Sequence, residues 1–198
     1  MSEENRITKR ERTRAQILRA AARLFAESGY SGVSMDGLGK ACRLTKGALY
    51  DHFNGKDDVY TQCVAHYVEG AISDIFSQSL TGDDSSAEAK LFSFLENFLT
   101  RLQDDVVLRR LLQRLLIDAK GVDLAAVSEF ALLRPFSYVV DLLSQYKPGI
   151  NAKTHIYSFF SVAILGEDLR VIAELLSPEF KGIPATQAML EHFRGVVR

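Results

Sequence analysis

A lysine followed by two very small residues opens the most informative segment of the chain, Lys46-Gly47-Ala48. Thr45, just before it, offers a hydroxyl and a backbone amide, and Lys46 offers a full positive charge, which suits contact with a phosphate. Tyr50 and His52 are long enough to reach a phosphate or the edge of a base. Because glycine and alanine leave almost no side chain in the way, a helix that begins here can lie close against the major groove of a duplex.

Catalytic and metal-binding patterns are weak by comparison. The stretch Gly37-Leu38-Gly39-Lys40 lacks the spacing and the Lys-Ser/Thr ending of a phosphate loop. The histidines are scattered, and the sequence contains no zinc-protease helix, nucleophile elbow or Cys-x-x-Cys pair. Cys63 and His66 share a helix face, but two candidate ligands without a convincing third are weak evidence for a metal site. We therefore expect no enzymatic activity, no metal and no cofactor.

Three helices must position the Lys46 segment. An apolar stripe at helical spacing predicts a helix over about residues 8–28, and Gly29 follows it at a position that favours a left-handed backbone. Ser34 is expected to cap a short helix over residues 35–42, and Thr45 to cap another over residues 46–53. The apolar stripe consists of Ile17, Ala21, Leu24 and Phe25. A long helix followed by two short ones joined by a tight turn is a helix-turn-helix arrangement.

The residues of this head resemble a known family. The stretch Leu44-Thr45-Lys46-Gly47-Ala48-Leu49-Tyr50-Asp51-His52-Phe53, followed by Lys56-Asp57, is similar to the DNA-binding head of the TetR family of bacterial transcription regulators. Ile17–Tyr30 is similar to the first helix of that family and its Gly-Tyr/Phe ending. The resemblance covers about residues 10–60. It implies that the helix opened by Lys46 lies in the major groove of a double-stranded DNA operator.

The resemblance and the side-chain chemistry together predict a set of DNA-contacting residues. They are Arg10, Arg14, Ser34, Met35, Arg43, Thr45, Lys46, Gly47, Ala48, Tyr50, His52 and Lys56. Leu44, Leu49 and Phe53 are assigned to the core. The sequence departs from the family pattern at Leu38-Gly39, where Ile-Ala is usual, and at Arg43, where glycine is usual. Arg43 is therefore expected to be mildly strained in a left-handed backbone, and the glycines either soften the short helix or allow close packing.

Charge and composition divide the chain in the same way. Residues 1–60 carry eleven Lys or Arg and eight Asp or Glu, whereas the remainder carries thirteen and seventeen. A basic head on an acidic body predicts different partners for the two parts. No run is apolar enough for a membrane helix, no export signal opens the chain, and two cysteines fit a reducing compartment, so we expect a cytoplasmic protein without a membrane partner.

Helical periodicity without any competing strand pattern predicts an all-α protein. We expect a basic arm and three-helix head over residues 1–55, followed by a larger helical effector-binding and dimerisation bundle over residues 56–198. In the bundle, Asn54, Ser85 with Glu88, and Asn151 are predicted to cap helices, and Pro135 is predicted to kink or split one over residues 124–146.

The resemblance also implies a homodimer and a small-molecule cavity. In the family, the last two helices of two subunits pack together; the corresponding candidates are Phe159, Phe160, Ala163, Ile164, Met189, Phe193 and Val196. A cavity among the middle helices would take a small apolar effector. Its candidates are Cys63, His66, Tyr67, Phe94, Phe98, Leu102, Leu112, Leu115, Phe136, Tyr138 and His155. Ordinary core packing is the alternative for any one of these residues.

The sequence is thus interpreted as a dimeric, TetR-like transcriptional regulator, a repressor that binds a palindromic operator and is released by a small hydrophobic effector. Two alternatives remain open. One is an all-helical ligand-binding or scaffold protein whose head does not bind DNA. The other is an enzyme with a helical active-site cavity, which would show turnover.

Overall fold

The computed structural model describes residues 8–79, 85–117, 127, 132–176 and 185–197. Within these ranges the chain forms helices and no strand, which confirms the predicted all-α class. The helices are α1 Lys9–Gly32, α2 Met35–Cys42, α3 Lys46–Tyr50, α4 Lys56–Ser79, α5 Ala87–Asp104, α6 Val106–Ile117, α7 Arg134–Tyr146, α8 Ala152–Leu176 and α9 Ala185–Val196.

Side-chain oxygens begin the helices of the head as the sequence predicts. Ser34 accepts a hydrogen bond from the amide of Gly37 at 3.1 Å, and Thr45 accepts one from the amide of Ala48 at 3.2 Å. Thr8 forms a complete capping box with Glu11 at the start of α1. These bonds satisfy amides that have no partner inside their own helix, so the starts of α1, α2 and α3 are fixed locally.

Several predicted helix ends are wrong by a few residues. Gly29 does take a glycine-type backbone (φ 68°, ψ 176°), but the helical backbone resumes after it as far as Gly32. Helix α3 ends at Tyr50 rather than at residue 53. The cap of α5 is Ser86, whose oxygen accepts from the amide of Ala89, and not Ser85. At the start of α4, where Asn54 is predicted to cap the helix with its side chain, the backbone amide of Asn54 instead donates to the Asp58 carboxylate at 2.8 Å.

The bundle follows the same pattern of correct elements with adjusted ends. Asn151 caps α8, since its side-chain oxygen accepts from the amide of Thr154 at 3.2 Å. Pro135 lies in the first turn of α7, where a missing amide costs nothing, and therefore does not kink that helix. Most of the predicted stretch before it, residues 124–131, lies outside the described residues.

The head and the body share one core. Buried apolar residues form a single cluster that runs from Ile17 in α1 to Val197 after α9. Helix α1 packs against both α4 and α6, and the ring of Phe25 meets that of Tyr60 edge-on, with 4.7 Å between centroids. Arg114 of α6 donates to the carbonyl of Glu27 at 3.4 Å. The predicted boundary between residues 55 and 56 coincides with the start of α4, but the two parts pack as one body.

Gly39 allows a close approach inside the head. A Cβ atom built at this position would lie 2.8 Å from the carbonyl oxygen of Leu44, and the Leu44 amide donates to the Gly39 carbonyl at 2.8 Å. Real Cβ atoms do not approach a backbone oxygen so closely. Of the two readings offered for the glycines of α2, close packing therefore applies to Gly39.

Candidate nucleic-acid interface

Helix α3 buries one side and exposes the other. Leu49 is 0% exposed and Phe53 2% exposed, so both anchor the helix in the core as predicted. Thr45, Lys46 and Gly47 are exposed, and Tyr50 is 50% exposed. The exposed face thus presents a hydroxyl, a positive charge, a bare backbone and a phenol, which are the groups that contact phosphates and base edges.

The charge of Lys46 has an acidic neighbour that the sequence does not indicate. Its Nζ lies 3.4 Å from a carboxylate oxygen of Asp36 in α2, and both side chains are more than half exposed. An exposed pair of this kind contributes little to stability. Ten positions separate the two residues, on different helices, so no spacing rule could have predicted the contact.

Arg43 has the left-handed backbone that the sequence predicts. Its φ and ψ are 56° and 41°, and it is the only non-glycine residue with a positive φ in the described part of the chain. Its side chain is exposed beside the turn between α2 and α3. The side chain of Ser34, at the start of α2, is also exposed. Met35 is a correction: it is 8% exposed and packs in the core, because it is the first residue of α2 on the face turned to α1.

Arg14 and Arg10 contact the chain just after α3. Arg14 Nη1 donates to the carbonyl of His52 at 3.0 Å, and its guanidinium carbon lies 4.6 Å from the centre of the Phe53 ring. Arg10 Nη2 donates to the carbonyl of Asp51 at 3.2 Å. Both arginines therefore lie beside the predicted interface, with contacts inside the protein.

Lys56 and His52 are also engaged within the protein. Lys56 Nζ donates to the carbonyl of Tyr30 at 3.1 Å and lies 4.0 Å from the centre of the Tyr30 ring. The Tyr30 hydroxyl donates to Asp57, and this bond, with burial, raises the pKa of Tyr30 to about 12. His52 is half-buried, and within the described residues its Nδ1 is buried without a hydrogen-bond partner. Ala48 is also half-buried, and its small side chain projects little from the surface of α3.

The body contains an apolar cavity of about 240 Å³ between α4, α5, α6, α7 and α8. Among the described residues, the lining has no charged or hydrogen-bonding side chain. The lining residues are Val68, Ile72, Phe98, Leu108, Leu112, Leu132, Leu133, Pro135, Phe136, Phe160 and Ile164. Of the predicted effector residues, Phe98, Leu112 and Phe136 line this cavity.

The other predicted effector residues lie elsewhere. Phe94, Leu102 and Leu115 are buried in the core outside the lining. Tyr67 donates to both oxygens of Asp105, at 3.0 and 3.1 Å. Tyr138 packs its ring against Phe76 with 5.0 Å between centroids, and His155 is half-buried at the start of α8.

Cys63 and His66 do not come together as ligands. Cys63 is buried, which strongly raises the pKa of its thiol, whereas His66 is exposed. Cys42 is also buried, with a raised thiol pKa. Among the described residues, no group of three or more His, Cys, Asp and Glu side chains is arranged to hold a metal ion. Nor does any helix in these ranges have the length and apolar character needed to cross a membrane.

The predicted interface residues need correction, because most of them serve the chain's own core. Phe159, Ala163 and Phe193 are buried, and Phe160 and Ile164 line the cavity. Met189 is half-buried, and of this set only Val196 is largely exposed. The exposed apolar side chains of α8 are different ones. Tyr157 and Leu175 are two of them, and five others, Val162, Leu165, Leu169, Ile172 and Leu176, follow one face of the helix, which we call the α8 stripe. Their alternating spacing of three and four residues was visible in the sequence and is typical of a helix seam.

Comparisons with known proteins agree with this geometry. Residues 17–63 match the family model described as bacterial regulatory proteins, tetR family. The transcriptional activator FasR of Mycolicibacterium smegmatis is 30% identical over 98 residues, which are 47% of this chain and 44% of that protein. IcaR of Staphylococcus aureus, a negative transcriptional regulator of the biofilm operon icaADBC, is 29% identical over 89 residues, 45% of this chain and 47% of IcaR. The matched part of the chain thus spans about half the length of either regulator.

The fold of the whole chain also has solved counterparts. The crystal structure of HlyIIR, a hemolysin II transcriptional regulator, superimposes with a TM-score of 0.69. The match covers 93% of this chain and 98% of HlyIIR at 17% identity. At that identity the likeness concerns the fold alone. Together, the matched residues and the shared fold confirm the resemblance on which the predicted interface rests.

Proposed function

We propose, from the premise that residues 17–63 form a DNA-binding head of the TetR family, that this chain is a transcriptional regulator whose α3 enters the major groove of an operator. The observation that carries the proposal is the exposed face of α3, where Thr45, Lys46 and Tyr50 surround the bare backbone of Gly47. In this arrangement Lys46 contacts a phosphate, and Tyr50 reaches a phosphate or a base edge. Ser34 and Arg43 flank this face and add contacts to the DNA backbone.

The test is the double variant Lys46→Ala/Tyr50→Ala, measured by fluorescence anisotropy on DNA from upstream of the chain's own gene at two salt concentrations. We expect the variant to lose at least about a hundredfold in affinity, because a phosphate contact and a base-edge contact disappear together. Lys153→Ala/Tyr157→Ala is a matched control, with the same two residue types at the same spacing on the exposed surface of α8. Equal affinity of both double variants would contradict the placement of α3. A wild-type chain that binds no DNA would favour the scaffold alternative.

A second copy of the chain completes the operator-binding unit. The α8 stripe exposes Val162, Leu165, Leu169, Ile172 and Leu176 along one face of a 25-residue helix, and monomers rarely leave such a surface uncovered. Two copies packed through this stripe, with α9 beside it, place two α3 helices about 34–36 Å apart, one turn of duplex DNA, and so recognise a palindrome.

Leu169→Glu/Ile172→Glu tests the dimer by analytical ultracentrifugation. We expect a folded monomer, because two carboxylates cannot be buried without partners, and an operator affinity that falls with the loss of the second head. Thr154→Glu, on an exposed part of the same helix, is the control and leaves the mass unchanged. A dimeric double variant would show that the interface lies elsewhere.

The cavity holds a small uncharged effector. The described residues that line its 240 Å³ are all apolar, and an apolar cavity of about 150 Å³ already holds benzene. A charged group would lose its hydration there without compensation. We therefore propose that an uncharged apolar molecule of one or two rings binds a conformation whose heads do not fit the operator, and so releases a repressor from DNA. The regulator acts where the operator is, in the cytoplasm.

Thermal-shift measurements with naphthalene and with 2-naphthoate test the chemistry of the cavity. We expect naphthalene to raise the melting temperature in a concentration-dependent way, whereas the carboxylate does not. Leu112→Phe fills part of the space and abolishes the naphthalene shift. A stronger shift with 2-naphthoate would contradict an uncharged effector.

Repression is tested separately: loss of the chain raises expression from the operator in a reporter strain, and lowered expression would indicate an activator.

A further inference from the structure

Helix α3 requires support from outside. It has only five residues, Lys46–Tyr50, and a helix of this length is unstable alone. After it, the amides of Asp51 and Phe53 still donate backwards, to Gly47 at 3.1 Å and to Leu49 at 3.0 Å. The next carbonyls, those of Asp51 and His52, lie beyond these backward bonds. The orientation of α3 therefore depends on donors supplied by another part of the chain.

The first helix supplies those donors. The His52 carbonyl accepts from Arg14, which lies 38 positions earlier, and the Asp51 carbonyl accepts from Arg10, 41 positions earlier. Arg14 is half-buried, and its guanidinium lies over the ring of Phe53. Phe53 is itself buried in the core. Arg14 is thus held on one side by a fixed ring while it binds the His52 carbonyl, two residues beyond the end of α3, on the other.

From this geometry we propose that Arg14, assisted by Arg10, is a positioning residue that fixes the far end of α3, rather than the phosphate contact that the sequence predicted. The proposal rests on the DNA-binding function of α3. Positioning affects specific binding most, because base edges must be met at fixed distances whereas non-specific binding depends mainly on charge. A guanidinium can stack and donate at the same time, and an ammonium group cannot match that planar geometry. Lysine at position 14 therefore keeps the charge but loses the support.

Arg14→Lys and Arg12→Ala separate positioning from phosphate contact. Arg12 is an exposed residue of α1, as Arg10 is, and it serves as the control for the loss of a charge. The probes are a duplex that the wild-type full-length chain selects from a random library and a shuffled duplex of the same composition. For Arg14→Lys we expect the ratio of the two affinities to fall about tenfold, the equivalent of one charge-assisted hydrogen bond, with an unchanged salt dependence. Arg12→Ala weakens both duplexes equally and lowers the salt slope by about 1.

Three outcomes would overturn the proposal. Arg14→Lys could keep the wild-type ratio of affinities, as expected of a simple phosphate contact. Arg14→Ala could weaken both duplexes equally and lower the salt slope as Arg12→Ala does. Finally, Arg14→Lys could lower the melting temperature of the protein but, at temperatures where the variant is folded, leave the ratio of the two duplex affinities unchanged, as expected of a purely structural residue.

Hydrogen exchange tests the same contact without DNA. In Arg14→Lys we expect the peptide over residues 46–53 to exchange at least about tenfold faster than in the wild type or in Arg12→Ala, whereas peptides from α5 are unchanged. Unchanged exchange over residues 46–53 would overturn the positioning role. If the wild-type chain selects no duplex, the proposed DNA function fails, but the exchange result still decides whether Arg14 holds α3.

Discussion

The head and the body bury their apolar residues equally well but leave different surfaces behind. In the head, Phe25, Leu38 and Leu49 are fully buried, and the exposed face of α3 is polar and basic. In the body, Phe94 and Leu95 are also fully buried, yet the helices leave the apolar cavity inside and the apolar α8 stripe outside. The surface of the head thus presents charge and hydrogen-bonding groups, and the surface of the body presents apolar side chains.

This difference follows from how each part is built. The short helices of the head are begun by neighbouring side chains, such as Ser34 and Thr45, and joined by one close backbone approach at Gly39. The long helices of the body meet through side chains, and wherever those side chains do not fill the space, a cavity remains. We therefore expect the head to tolerate little change in backbone at Gly39 and the body to tolerate changes in side-chain packing around the cavity.

If the head depends on a close approach that is absent at Gly70 of the body, the same substitution will have different effects at the two positions. Gly39→Val places side-chain atoms against the Leu44 carbonyl oxygen, which a Cβ would approach to 2.8 Å. We expect a loss of about 3 kcal/mol in the free energy of unfolding and loss of DNA binding. Gly70→Val meets nothing within 4 Å and is expected to be neutral or slightly stabilising. Chemical denaturation measures both, and equal effects would remove the distinction.

The body has its own long-range polar contact, between Tyr67 of α4 and Asp105 before α6. Tyr67→Phe removes the donor, while Asp105 keeps Arg101 at 3.2 Å and the amide of Leu108 at 3.0 Å. We expect a loss of about 1–2 kcal/mol. Burial and then the Asp105 charge raise the pKa of Tyr67 above its ordinary 10.0, so this contribution is constant below that pH and decreases above it.

Tyr138→Phe is the matched control for this contact. Within the described residues the Tyr138 hydroxyl is buried without a hydrogen-bond partner, so its removal is expected to be neutral or stabilising. Denaturation curves of the two variants at neutral and alkaline pH make the comparison. If Tyr67→Phe proved as harmless as Tyr138→Phe, packing alone would hold α4 against α6.

At Arg43, stability and DNA affinity are expected to change in opposite directions. Arg43→Gly relieves the left-handed backbone at φ 56° and stabilises the protein by about 1 kcal/mol. The same change removes an exposed charge beside α3 and lowers the salt slope of DNA binding by about 1. Arg43→Lys keeps both the charge and the strain and serves as the control. If the Arg43→Gly variant bound DNA with the affinity and salt dependence of the wild type, Arg43 would not contact the DNA.

The smallest expected effect is a difference in reaction rate between the two cysteines. Both thiols are buried with raised pKa values, Cys42 at the end of α2 and Cys63 within α4. Each reacts with a disulfide reagent only when its surroundings open. In single-cysteine variants (Cys63→Ser and Cys42→Ser) we expect Cys42 to react severalfold faster, because the eight-residue α2 opens at a lower cost than the 24-residue α4. Equal rates would mean that head and body open together.

The sequence alone determined the helical class and the starts of the head helices. These features depend on residues within about four positions of one another, through side-chain caps and helical periodicity. The left-handed backbone at Arg43 was predictable from the family resemblance, because glycine is usual at that position of the family. The ends of helices were less predictable. Helix α3 ends at Tyr50, because the end of a short helix depends on the hydrogen-bond donors and acceptors that lie beyond it.

Tertiary structure decided which residues are available to a partner. Met35 and Phe159 have residue types that suit a contact surface, but their helices turn them into the core. Arg14 carries the charge expected of a phosphate contact, yet it binds a carbonyl 38 positions away. The cavity likewise takes its lining from five helices. Such contacts depend on how helices are oriented to one another, and that orientation results from the packing of the whole chain rather than from any local spacing.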